Sequence, residues 1–190
     1  MQQETITIVS GLPRSGTSMM MKILEAGGLE VLTDNLRTAD EDNPKGYYEF
    51  ERVKKLKEDQ AWLDDAKGKV VKIISAILKD LPPDYNYKIV FMYRKIEEIL
   101  ASQKKMLIRR GEPTDKTSDE KMTEVFESHL KQVEQWIAKQ NNMDAIYIKY
   151  HEVLENPEKN IKQVNEFLSN TLDENKMISA IDKRLYRNRR

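Results

Sequence analysis

The amino-acid sequence predicts a three-layer α/β fold in which a central parallel sheet is flanked by helices. Short apolar segments that resemble buried strands alternate along the chain with segments of helical periodicity. Strands covered on both faces are typical of parallel sheets with right-handed crossovers. A chain of 190 residues can bury one substantial core but hardly two, so we expect residues 1–190 to form a single domain.

The first predicted unit is a strand, a glycine loop and a helix. The segment Thr5–Ser10 is β-branched and apolar and runs into Gly11, as expected for a buried strand that ends in a turn. Apolar residues then recur at helical spacing from Ser15 to Ala26, and the pair Gly27–Gly28 predicts the end of this helix.

The remaining elements continue this alternation. Further apolar segments predict strands at residues 70–74, 88–93 and 145–149. Periodic segments predict helices at residues 50–64, 96–109, 119–139 and 157–168. The polar segments 35–46 and 110–118, which contain Pro and Gly, are predicted to be loops on the functional face of the sheet.

The composition disfavours several classes of function. The chain has no cysteine and only two histidines, His129 and His151, so thiolate chemistry, disulfides and a zinc centre are not expected. Because Lys plus Arg and Asp plus Glu both number 32, neither nucleic acid nor an anionic membrane is an indicated partner. No apolar run approaches the roughly 20 residues that span a bilayer, and no secretion signal is evident, so we expect a cytoplasmic location.

The loop Gly11–Ser18 has the composition of an anion-binding loop. Its glycines allow a tight turn, and its amides and the following helix N-terminus point positive charge at a bound anion. Arg14 offers a fork of donors that matches phosphate oxygens, and Ser15, Thr17 and Ser18 add hydroxyls. A plain turn requires neither the arginine nor the hydroxyls, so we predict a P-loop-type fold with an anion site here.

The loop differs from that of nucleotide triphosphatases, G-x-x-x-x-G-K-[ST]. Thr17 stands at the lysine position, and the cation is Arg14, two residues before Gly16. No predicted strand ends in an acidic residue that could hold Mg²⁺. Metal-dependent phosphoryl transfer is therefore disfavoured, and no metal site is expected.

A resemblance to a known family is carried by the segment Pro13-Arg14-Ser15-Gly16-Thr17-Ser18. It is similar to the 5′-phosphosulfate loop of the sulfotransferases, whose usual form is Pro-Lys/Arg-Ser-Gly-Thr-Thr/Ser. These enzymes move a sulfuryl group from 3′-phosphoadenosine-5′-phosphosulfate (PAPS) to a hydroxyl or amine, here of a small-molecule or glycan acceptor. The resemblance implies that Arg14 contacts the 5′-phosphate and the bridging oxygen, that its neighbours cradle the phosphate, and that PAP is the product.

A second anion site is predicted after the third strand. Arg94 leaves that strand and Ser102 follows about two turns into the next helix, so both can face the crevice above the sheet. Taken alone, the pair also fits a cap arginine and a surface serine. The pair resembles the 3′-phosphate motif of the sulfotransferases, and with the first loop it implies two separated pockets for a doubly phosphorylated adenosine.

A third, weaker likeness is the segment Tyr150–Pro157, which resembles the Tyr-Glu-Asp-Leu-x-x-x-Pro stretch of the family. The resemblance implies that Tyr150 lies near the adenine. The residues alone also fit a tyrosine that closes a core strand.

Transfer also requires a group that removes the acceptor proton. Cytosolic sulfotransferases use the histidine of a Lys-Thr-His stretch, but the comparable segment here is Lys72–Ser75, which keeps the lysine and has no histidine. The resemblance implies that Lys72 stabilises the transition state, although a solvated lysine at a strand end is an equally simple interpretation. Glu49, in a Pro- and Gly-rich segment similar to one in bacterial relatives, is the predicted base, and its plain alternative is an exposed helix-starting glutamate.

The resemblance covers roughly Ile6 to Leu168, and the family's C-terminal Arg-Lys-Gly segment has no match. The basic tail 183–190 is either a flexible end or a flap that supplies cations to the cofactor. Two other functions stay open from the residues: a nucleotide or small-molecule kinase that binds ATP with Mg²⁺, and a nucleotide-binding protein that has lost catalysis.

Overall fold

The sheet is parallel and, within the described residues, has four strands in the order β2-β1-β3-β4. The computed structural model describes residues 4–34, 48–114 and 117–182. The strands are β1 (Thr5–Gly11), β2 (Val70–Lys72), β3 (Asn86–Tyr93) and β4 (Met143–Lys149). The predicted parallel α/β fold is confirmed, whereas the loop predicted at 35–46 and the basic tail at 183–190 lie outside the described residues.

Helices cover both faces of the sheet, as the apolar strands require. They are α1 (Thr17–Ala26), α2 (Ile96–Arg109), α3 (Asp119–Ile137), α4 (Tyr150–Glu155), α5 (Pro157–Phe167) and α6 (Glu174–Ser179), with 3₁₀ helices at Glu51–Lys55, Ala61–Leu63 and Ser75–Asp80. No helix among the described residues is both long enough and apolar enough to cross a membrane.

The core divides into two apolar clusters because successive strand residues point to opposite faces. On β1, Ile6 and Ile8 pack with α2, α3 and the 3₁₀ helices. Val9 packs on the other face with α1, α4, α5 and α6. These helices therefore form the two outer layers of the fold.

The helix predicted at 50–64 was wrong. Two 3₁₀ helices stand there instead, with hydrogen bonds of the i to i+3 type such as the one from Val53 N to Phe50 O at 3.0 Å. Between them, Asp59 accepts two hydrogen bonds from Arg52 at 2.6 and 2.8 Å, and its main-chain oxygen accepts one from Trp62 at 3.0 Å. The hydrogen bond from Trp62 occupies a main-chain oxygen and so offers an alternative to a continuous α-helical ladder.

The site is positioned by a topological switch point between two adjacent parallel strands, whose following helices cross to opposite faces of the sheet. β1 and β3 are neighbours, but α1, which follows β1, lies on one face and α2, which follows β3, lies on the other. In open parallel sheets such a switch point creates a crevice at the carboxyl ends of the strands, where ligands bind. The loop 11–18 and Arg94 both lie at this crevice.

Candidate active site

The loop between β1 and α1 has a tightly curled backbone. Gly11, Arg14 and Gly16 have positive φ angles of 144°, 74° and 103°, a region that L side chains rarely adopt. The amide of Ser15 donates to Leu12 O at 3.1 Å and closes the turn. Arg14 is thus held in a left-handed conformation at the centre of the loop, which is typical of functional turns.

Close packing, as well as the positive φ angles, excludes a side chain at Gly11 and Gly16. A Cβ atom on Gly11 would lie 2.6 Å from Met92 O, and one on Gly16 would lie 2.4 Å from Cδ2 of Tyr150. The backbone of the loop therefore packs directly against β3 and α4.

The start of α1 offers donors to an anion. The helix begins at Thr17, not at Ser15 as predicted, and no side chain caps it. Its first amides have no acceptor within the helix, and a helix N-terminus favours an anion. Ser15 Oγ is buried without a hydrogen-bond partner among the described residues, which is unusual for a buried hydroxyl and fits a polar group bound at this loop. Pro13 is exposed at the tip of the turn.

The two predicted anion sites touch each other. Arg14 Nε donates to Ser102 Oγ at 2.9 Å, and Arg94 Nη1 donates to Arg14 O at 3.2 Å. The two predicted anion sites are therefore adjacent in the crevice, because Arg14 reaches the Ser102 side chain and Arg94 reaches the main chain of the loop. Both arginines lie at the same crevice, as the hypothesis required.

Arg94 is held on two further sides. Its Nε donates to Glu98 Oε2 at 2.8 Å, and the two side chains are only 9% and 1% exposed. Its guanidinium carbon lies 4.4 Å from the centroid of the Tyr150 ring, within the range of a cation–π contact. Burial raises the pKa of the Tyr150 hydroxyl, against an opposing effect of Arg94.

Tyr150 begins α4 and is 4% exposed. Its ring lies between Arg94 and Gly16. The ring thus packs directly against the phosphate loop and is almost fully buried.

Lys72 and Glu49 lie together at the other end of the site. Lys72 Nζ is 3.4 Å from Ser18 Oγ and 3.9 Å from Glu49 Oε1. The two side chains are 8% and 22% exposed, so the pair is largely shielded from water. Thr33 holds the main chain at Glu49 through a hydrogen bond of 2.8 Å to Glu49 O. The structure therefore brings two of the three predicted catalytic residues, Lys72 and Glu49, to the start of α1. The third, Arg14, lies in the preceding loop.

Two features of the site were missed in the sequence. Glu98 stands four residues after Arg94 on α2, a helical spacing that could have revealed the ion pair. His129 Nε2 lies 2.9 Å from Ser75 Oγ, 54 residues away, just beyond β2. Burial, and then Lys79, lower the pKa of His129. No local pattern could have revealed this contact, because it depends on the packing of α3.

Comparison with a family model and with solved structures points to the same kind of domain. A family model described as "Sulfotransferase domain" matches residues 4–190. The fold is similar to the sulfotransferase domain of the Synechococcus PCC 7002 olefin synthase, with a TM-score of 0.59, 15% identity, and coverage of 96% of this chain and 79% of that one. It is also similar to the sulfotransferase domain of the curacin biosynthetic pathway, with a TM-score of 0.55, 14% identity and the same coverages, 96% and 79%. A search of curated proteins gave no match.

Proposed function

The chain belongs to the sulfotransferase domain family, and we propose that it transfers a sulfuryl group from PAPS to a hydroxyl or amine without a metal. One observation carries the proposal. Arg14, Arg94 and Ser102 meet at the carboxyl ends of β1 and β3, beside the uncapped start of α1. Convergent guanidinium groups and helix amides are donors suited to a ligand with several phosphoryl and sulfuryl oxygens.

The residues present fit such a ligand. The buried Ser15 hydroxyl, which has no hydrogen-bond partner among the described residues, and the amides at the uncapped start of α1 are groups that a phosphate would engage. We assign the 5′-phosphosulfate to Pro13, Arg14, Ser15, Gly16, Thr17 and Ser18. We assign the 3′-phosphate to Arg94 and Ser102, and the adenine to the neighbourhood of Tyr150. When bound, PAPS supplies a sulfuryl group on a phosphate leaving group.

The chain's own residues would then stabilise the negative charge of the leaving group and remove the acceptor proton. Arg14 and Lys72 would supply positive charge that stabilises the negative charge on the leaving group. Glu49 would accept the proton of the acceptor hydroxyl or amine at a carboxylate oxygen. Lys72 Nζ, 3.9 Å from that carboxylate, would hold it near the reacting group. The acceptor is a small molecule or a glycan that carries such a nucleophile.

Ligand titration tests this function against its rivals. Calorimetry should show that PAP binds and that ATP with Mg²⁺ binds more weakly, whereas a kinase would show the reverse order. A screen of hydroxyl and amine acceptors with ³⁵S-labelled PAPS should then give labelled product. Binding of PAP without transfer to any acceptor would instead indicate a nucleotide-binding protein without catalysis.

Glu49→Gln tests the assigned base. The variant keeps the size of the side chain but cannot take the proton, so turnover should fall by roughly 100-fold or more while PAP affinity is kept. The matched control is Glu51→Gln, which removes a carboxylate that pairs with Lys54 on the surface. Turnover of Glu49→Gln within about twofold of this control would remove Glu49 from the role.

A further inference from the structure

Glu98 is a buried carboxylate outside the residues assigned to the ligand. It is 1% exposed and lies on the first turn of α2, with its Oε2 atom 2.8 Å from Arg94 Nε. A buried ion pair is a poor device for stability, because the desolvation of both charges offsets their attraction. A role in fixing geometry is therefore the better explanation for this pair.

The geometry that the pair fixes is that of the phosphate loop. With Nε turned to Glu98 and the guanidinium stacked on the Tyr150 ring, Arg94 points Nη1 at Arg14 O. That carbonyl belongs to the residue with φ of 74°. A left-handed residue other than glycine needs support from its surroundings, and this hydrogen bond supplies such support.

The direction of this carbonyl also affects catalysis. Arg14 reaches Ser102 with its side chain while Arg94 holds its main chain. If Arg94 turned away, the peptide after Arg14 could rotate and the Arg14 side chain would leave its position. A displacement of about 1 Å at a reacting centre can cost roughly 100-fold in rate.

We propose that Glu98 is a positioning residue for sulfuryl transfer: it turns Arg94 onto the main chain of Arg14 and thereby sets the conformation of the phosphate loop. This inference rests on the proposed function for its effect on turnover. Its effect on the loop does not depend on which ligand is bound. Glu98 also neutralises one of the two arginine charges at the site, so its removal has two opposite effects on anion binding: it leaves more positive charge at the site, but it loosens Arg94 and the loop.

The test compares Glu98→Gln with Glu97→Gln. Glu97 is the preceding residue on α2 and is exposed, so its variant makes the same chemical change away from the site. Hydrogen–deuterium exchange of the loop 12–18 in the protein alone should be several-fold faster in Glu98→Gln than in Glu97→Gln. Turnover with PAPS should fall by roughly 10- to 100-fold, and the Kd for PAP should rise by a clearly smaller factor, because PAP also contacts groups of the site that Glu98 does not hold.

Glu98→Asp serves as a second variant if the glutamine variant does not fold. Aspartate keeps the charge but is one methylene shorter, so its loop exchange and turnover should lie between those of the wild type and the expected Glu98→Gln. Loop exchange equal to that of Glu97→Gln would overturn the proposal. So would a parallel loss of turnover, PAP affinity and Tm with faster exchange throughout α2 and β3, since that is a purely structural effect. A wild-type protein that binds no PAP would refute the proposed function, and the exchange result would still decide the role of Glu98.

Discussion

Gly16 is the residue at which backbone conformation and packing constrain the site together. Its φ is 103°, and an added Cβ would lie 2.4 Å from the Tyr150 ring. We expect Gly16→Ala to lower the free energy of unfolding by roughly 2–4 kcal/mol, from left-handed strain and overpacking. Urea denaturation measures this loss.

Gly28→Ala is the control that separates the two effects. Gly28 has nearly the same φ, 101°, but a Cβ there would meet nothing within 4 Å. Its variant should lose only the strain, about 1–2 kcal/mol. Equal losses at both positions would show that contact with Tyr150 contributes nothing.

At this scale, the residue types of the site could be predicted but their contacts could not. The arginine and hydroxyls of the loop follow from the chemistry of anions, and the structure places Arg14 and Ser102 in one crevice as expected. That Arg14 bonds Ser102 directly, at 2.9 Å, depends on how α2 packs against the loop. The hydrophobic periodicity of the sequence does not predict a distance between side chains on two different elements.

At the scale of elements, the long periodic helices and the apolar strands were predictable, and the segment 50–64 was not. Its apolar spacing, with Val53 and Leu56 buried, fits a 3₁₀ helix as well as an α-helix. In the structure, Asp59 accepts a hydrogen bond from Ala61 N, and its main-chain oxygen accepts one from the Trp62 side chain. Such side chain–main chain hydrogen bonds, which offer the backbone an alternative to the α-helical ladder, do not show in a hydrophobic pattern.

The attachment of α3 to the segment after β2 should depend on pH. His129 on α3 is hydrogen-bonded to Ser75, and burial and Lys79 lower its pKa below the ordinary 6.5. Below about pH 6.5 the unfolded chain therefore binds a proton that the folded chain resists. The free energy of unfolding should fall as pH drops through this window, and the contribution is fully present above it.

His129→Gln should reduce this dependence, because glutamine does not titrate. Urea denaturation at about pH 7.5 and pH 5.5 measures the slope. The matched control is His151→Gln, which removes the other histidine of the chain and leaves the contact with Ser75 intact. An unchanged slope in His129→Gln would show that this imidazole is not the titrating group.

For the whole molecule, the site joins both outer layers of the fold. The site is formed by the loop before α1, the end of β2, the start of α2 and Tyr150 on α4. Residues from helices on both faces of the sheet therefore meet there. A ligand that binds there contacts elements that pack into both core clusters. Binding should therefore stabilise the domain as a unit, not just the loop.

This argument predicts the size and the ligand dependence of thermal stabilisation. At a concentration of 100 times its Kd, PAP should add about 2.7 kcal/mol to the free energy of unfolding, which for a chain of this length raises Tm by roughly 5–10 °C. AMP, which lacks the 3′-phosphate, should give a clearly smaller shift at the same concentration, because it cannot engage Arg94 and Ser102. In Ser102→Ala, the shift with PAP should approach the shift with AMP. Equal shifts for PAP and AMP in the wild type would mean that Arg94 and Ser102 do not bind a 3′-phosphate. The assignment of a second phosphate to these residues would then be wrong.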